Sequence, residues 1–94
     1  MLPISLADLE VAMRVLLAQP ASAREEFANT IITQASEATS FRASTRLGHV
    51  SFGNGTLMSA AAQYPMSRRP GYCDAEYLTT LAMLAQLLAT HQNR

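Results

Sequence analysis

His49-Val50-Ser51-Phe52-Gly53-Asn54-Gly55-Thr56-Leu57-Met58 is the stretch whose residue types could hold a ligand. Two glycines bracket Asn54 directly ahead of a helix-forming run. Backbone N–H groups at a helix start attract anions, and His49, Arg68 and Arg69 lie near enough in sequence to add polar or positive groups. Gly53, Asn54, Gly55, Arg68 and Arg69 are therefore candidate anion-binding or interaction residues. A full phosphate loop needs Gly-x4-Gly-Lys-Ser/Thr, and a dinucleotide loop needs Gly-x-Gly-x-x-Gly after a strand. Neither is present. Asn-Gly is also the pair favoured by a tight hairpin. The reading we prefer is a helix cap, because Leu57 to Gln63 is a helix former that Pro65 ends. Thr56 or Asn54 is then the N-cap, and the glycines let the chain turn sharply into it.

Other reactive side chains form no constellation. His49, His91 and Cys73 stand at no metal-ligand spacing. Cys73 precedes a helix, a position that can activate a thiol, and a buried inert thiol is the plainer reading. No Gly-x-Ser-x-Gly elbow holds a serine. The pairs Glu25-Glu26 and Asp74-Glu76 suit helix starts, where negative charge meets the helix dipole. The expectation is a non-catalytic chain with no cofactor and no metal.

The elements that would position these residues are helices. Ile4-Ser5-Leu6-Ala7-Asp8-Leu9 reads as a capping box with Asp in place of the usual Glu, and Ile4 and Leu9 as its hydrophobic staple. Leu6, Leu9, Met13, Leu16 and Leu17 follow on one face until Pro20. Ser22-Ala23-Arg24-Glu25 reads as a second capping box. It opens a helix whose stripe is Phe27, Ile31, Ala35 and Ala38, beside Ile32. Its small residues invite close approach of a partner helix. Asp74 caps a last helix with the stripe Tyr77, Leu81, Leu84 and Leu88, widened by Leu78, Ala85 and Leu87. The pattern predicts one all-α domain over residues 1–94. Its four helices lie at 6–18, 22–46, 57–64 and 75–90, two long and two shorter, around a glycine-rich central loop.

Bulk composition sets limits. The chain has 94 residues. A single domain of that size buries only roughly 60–65% of its unfolded surface, so a lone monomer is marginal. Apolar residues make up 49% and charged residues only 15%. That balance disfavours disorder and hints at an apolar surface facing a partner. Net charge is zero, so no global field draws the chain to nucleic acid or anionic lipid. One cysteine excludes an intrachain disulfide and fits a reducing, cytoplasmic setting. Asp8, Glu10 and Arg14 interrupt what would be the apolar part of a secretory leader, and no apolar run is long enough to span a membrane. Charge is unevenly laid out: two arginines face five carboxylates through residue 41, and five arginines face two carboxylates from residue 42. A dipolar subunit of this kind can associate head to tail into a ring. Arg42 and Arg46 are its candidate register-setting contacts.

The segments Phe52-Gly53-Asn54-Gly55-Thr56-Leu57-Met58-Ser59-Ala60-Ala61, Tyr72-Cys73-Asp74-Ala75-Glu76-Tyr77-Leu78 and Arg14 to Pro20 resemble a family of short, mostly uncharacterised alphaproteobacterial proteins. Phe52 stands where Trp is commoner in that family, and Ala75 where Pro is. The resemblance implies association with the packaging genes of phage-derived gene transfer agents, in the place of a small terminase subunit. Such a subunit is a helical, non-catalytic, ring-forming adaptor that regulates a large ATP-driven nuclease. Helix 1 here is short and acidic, unlike the helix-turn-helix reader that begins many small terminases, so any DNA contact would be weak and sequence-tolerant. The alternative expectation is a small cytoplasmic regulator or enzyme accessory protein with an anion-binding loop at Asn54, Arg68 and Arg69.

Overall fold

A computed structural model of the chain describes residues 1–45, 53–67 and 74–92, with side chains described through residue 41 in the first stretch. Its elements are the four predicted helices, and no strand occurs among the described residues. The first, α1, spans Leu6–Leu17. The Ser5 hydroxyl accepts the Asp8 N–H at 3.2 Å, and the Asp8 carboxylate accepts the Ser5 N–H at 2.8 Å. The shorter aspartate therefore closes both halves of the capping box. Ala12, Met13, Val15 and Leu16 are buried, and Ile4, Leu9 and Leu17 pack partly against them. Leu6, expected on the same stripe, is 84% exposed.

The second helix, α2, spans Arg24–Thr45, and a 3-10 turn over Ala21–Ala23 leads into it. Ser22 falls inside that turn instead of heading a capping box. Pro20 opens the turn without a side-chain cap, and the α-helical register begins two residues later than expected. Ala28, Ile31, Ile32, Ala35 and Ala38 are buried. Ala35 and Ala38 are thus covered within the subunit, where α2 packs on the third helix, α3, Leu57–Ala61, and on the last.

The α3 helix is shorter than the expected 57–64. The Gln63 side chain donates to the Ala60 carbonyl at 3.0 Å, and Tyr64 turns away to meet α2. The Tyr64 hydroxyl donates to Gln34 at 2.6 Å, and its ring meets Phe27 edge-on at 4.9 Å between centroids. The residue before a proline is disfavoured in the α conformation, and an aromatic pair adds about 0.5–1.5 kcal/mol beyond its area.

The last helix, α4, spans Ala75–Gln92. Asp74 heads it, its carboxylate accepting the Glu76 N–H at 3.0 Å. Tyr77, Thr80, Leu84 and Leu88 face the core. The Thr80 hydroxyl donates to the Glu76 carbonyl at 2.8 Å. A buried hydroxyl is tolerated when it is bonded in this way. Leu81 and Leu87 are partly buried, but Leu78 and Ala85 are exposed and do not widen the core stripe as expected. With 3.6 residues per turn, they lie roughly 100° round the helix from the centre of the buried stripe.

Candidate interaction surface

The Gly-Asn-Gly segment is a junction built from the backbone outward. Gly53 and Gly55 have φ of +82° and +98°, a region that side chains rarely adopt. A Cβ on Gly53 would lie 2.5 Å from the Ser59 Cβ, and one on Gly55 would lie 2.7 Å from the Thr39 hydroxyl. The Asn54 side-chain oxygen accepts the Thr56 N–H at 3.1 Å, the Thr56 hydroxyl at 2.9 Å and the Ser59 hydroxyl at 2.9 Å. Thr56 is the N-cap, its hydroxyl accepting the Ser59 N–H at 3.1 Å, the usual service of a threonine at that position. Gly55 ties the junction to two other elements. Its carbonyl accepts the Leu2 N–H at 3.0 Å and the Thr39 hydroxyl at 3.2 Å.

Asp8 completes this junction from fifty residues away. Besides its own capping box, its second oxygen accepts the Met58 N–H at 2.9 Å. One carboxylate, 3% exposed, thus satisfies backbone donors at the first turns of both α1 and α3. Sequence reasoning assigns Asp8 only the local role, and no short-range signal discloses the second. Three backbone donors at the start of α3 are spent inside the fold: Thr56 on Asn54, Met58 on Asp8 and Ser59 on Thr56. The arrangement caps a helix.

A second junction holds the other end of α1. The Arg24 guanidinium donates from Nε to the Leu16 and Gln19 carbonyls at 3.1 Å, and pairs with Glu76 at 2.7 Å. A cation at a helix C-terminus meets its orphan carbonyls, so Arg24 joins the ends of α1, α2 and α4. Arg14 reaches the Ser67 carbonyl at 3.1 Å while its own carbonyl accepts the Ser67 N–H at 2.9 Å. Both described arginine side chains therefore serve internal carbonyls. Arg42 lies on α2 with its side chain outside the described residues, and Arg46, Arg68, Arg69, His49 and Cys73 belong to stretches of which no contact is described. Of the candidate residues, the structure thus brings together Gly53, Asn54 and Gly55. His91 meets α2, its Nε2 2.9 Å from the Ser36 hydroxyl.

Among the described residues, no group of three or more His, Cys, Asp or Glu side chains converges as a metal site. No buried side-chain polar atom among them lacks a partner, and no helix is long and apolar enough to cross a membrane. Among the described residues, the outer side of α4 is an uncharged face. Along α4, Leu78, Ala82, Ala85 and Ala89 are all exposed, and their spacing of three and four residues puts them on one side of the helix. Leu78 is 51% exposed, and no Asp, Glu, Lys or Arg follows Glu76 within α4.

No curated protein and no solved structure matches the chain. A family described as a domain of unknown function, DUF7742, matches residues 2–88, from the segment that bonds Gly55 through the last buried leucine of α4. The chain belongs to the DUF7742 family.

Proposed function

We infer that the protein is a non-catalytic helical interaction module that works as an oligomer, in the manner of a small cytoplasmic adaptor in DNA packaging. The observation that carries the interaction reading is the α4 face. Leu78, Ala82, Ala85 and Ala89 form a self-complementary row: in an antiparallel pair of α4 helices, Leu78 of one copy lies opposite Ala89 of the next, and Ala82 opposite Ala85. Each contact recurs across a two-fold axis, as in an isologous interface, which closes a pair of subunits instead of the head-to-tail ring that the charge layout suggests. The face runs about 17 Å along the helix and carries no charge to desolvate. Thr79 and Gln86 flank it with neutral polar groups.

The packaging role is supported by the resemblance of the Gly53-Asn54-Gly55-Thr56-Leu57-Met58 segment and the Asp74 to Leu78 helix start to the gene-transfer-agent family. In that role the oligomer regulates a large ATP-driven terminase, and contacts DNA weakly if at all. The test is to add the purified protein to the large terminase encoded beside its gene. A changed ATPase rate supports the adaptor. An unchanged rate, or a gene with no terminase neighbour, overturns it and leaves the α4 face to another partner.

A further inference from the structure

We propose that Asn54–Gly55 is a latent modification site, a peptide bond that the fold protects from succinimide formation and that unfolding of the α2–α3 junction releases. The dipeptide has the chemistry. The Gly55 nitrogen, having lost its proton, attacks Asn54 Cγ. The new N–Cγ bond closes a five-membered ring, the Cγ–Nδ2 bond breaks, and the side-chain nitrogen leaves as ammonia with a proton returned from solvent. Water then opens the ring. Cleavage at the former side-chain carbonyl gives aspartate, and cleavage at the main-chain carbonyl gives isoaspartate, whose backbone is one methylene longer. Glycine as the following residue puts no side chain in the way of the attacking nitrogen.

The fold opposes the loss of the Gly55 proton and the closure of the ring. The Asn54 oxygen is held forward by three donors, Thr56 N–H, Thr56 hydroxyl and Ser59 hydroxyl, at 3.1, 2.9 and 2.9 Å. Ring closure must swing the amide out of that grip. Gly55, whose nitrogen would have to lose its proton to water, is buried against Thr39, with its carbonyl bonded to Leu2 and Thr39. Its φ is +98°. Asn54 itself is exposed, so nothing but the hydrogen bonds and the Gly55 backbone restrains the reaction.

The two products differ in consequence. Aspartate at 54 keeps an acceptor for all three donors and still caps. Isoaspartate pushes Gly55 out of register with Thr39, where a displaced backbone has no room. A chain that reacts while open can therefore lose its way back, and the site records how often the junction opens.

The test ages the full chain at mildly alkaline pH, folded and in guanidinium chloride, and follows intact mass and isoaspartate at residue 54 by peptide mapping. Conversion is expected to be slower by roughly tenfold or more in the folded chain. Ser59→Ala, folded by circular dichroism, should convert roughly five-fold faster than the parent, the factor carried by one neutral hydrogen bond. Should Ser59→Ala not fold, the comparison of folded and unfolded parent decides alone. Equal rates folded and unfolded overturn the proposal. So does a slower Ser59→Ala, which would mean that the three donors activate the amide.

Discussion

Replacing Asp8 by alanine removes one side chain and opens two helix starts. In the native fold, Asp8 accepts the Ser5 N–H at 2.8 Å, the Ser5 hydroxyl at 2.9 Å and the Met58 N–H at 2.9 Å, while only 3% exposed. A hydrogen bond to a charged group contributes about 1.5–3 kcal/mol. The Ser5 bonds lie at an exposed residue, where water can replace the lost acceptor, so the lower figure applies there. The Met58 N–H faces a buried oxygen, and removing it strands a donor. Taking the lower figure for each backbone bond gives at least about 3 kcal/mol, a large share of the roughly 5–15 kcal/mol by which domains are stable. For a chain this size that is a fall in Tm of roughly 12–24 °C. Ser5→Ala, which removes only the local cap, should cost about 1 kcal/mol. Urea unfolding of both variants, read as a shift in midpoint at constant slope, measures the difference. If Asp8→Ala costs no more than Ser5→Ala, the bond from α3 carries no stability and the two-helix role of Asp8 is wrong.

Gly55→Ala forces a Cβ to 2.7 Å from the Thr39 hydroxyl at a φ of +98°. It should cost about 2 kcal/mol or more in urea melts. Asn54→Asp should fold with an unfolding midpoint close to the parent's, because a carboxylate accepts the same three donors; a loss as large as that of Asn54→Ala would show that the amide nitrogen matters. Ala35→Glu should unfold the subunit instead of dissociating an assembly, since Ala35 is fully buried and a lone charge there has no partner. Loss of helical signal by circular dichroism would show it. Arg24→Met keeps the stem but drops the bonds to Leu16, Gln19 and Glu76. It should cost about 1.5–3 kcal/mol by thermal denaturation.

Much of this fold is legible because its signals are local. Ser5 and Asp8, three residues apart, must meet if a helix starts there, and Asp74 meets Glu76 for the same reason. The positive-φ glycines and the Thr56 cap are likewise written into Gly-Asn-Gly-Thr. Contacts at long separation are not: nothing near Asp8 announces Met58, and nothing near Arg24 announces Glu76. The α4 helix shows a subtler limit. Its residues are apolar on more than one side, so spacing alone cannot say whether Leu78 and Ala85 or Thr80 faces the core. The structure turns Thr80 inward, its hydroxyl satisfied by the Glu76 carbonyl, and leaves Leu78 and Ala85 outside. The small residues of α2 read as an invitation to close packing, but the helix that accepts it belongs to the same chain. Chemistry stays illegible for a simpler reason. The described polar side chains of the two junctions are spent on caps and carbonyls, and the outward face of α4 is uncharged.

Self-association through α4 is the central claim, and mass in solution tests it most directly. Half-exposed Leu78 gains about 1 kcal/mol on burial, once from each copy of a symmetric pair, so one charged substitution there acts twice. Light scattering on the untagged chain at moderate salt and micromolar concentration should report at least twice 10.2 kDa. Leu78→Glu should return 10.2 kDa with an unchanged helical spectrum, since the side chain lies outside the core. A parent chain that sediments and scatters as a 10.2 kDa monomer, or a Leu78→Glu variant whose mass equals the parent's, would contradict the account.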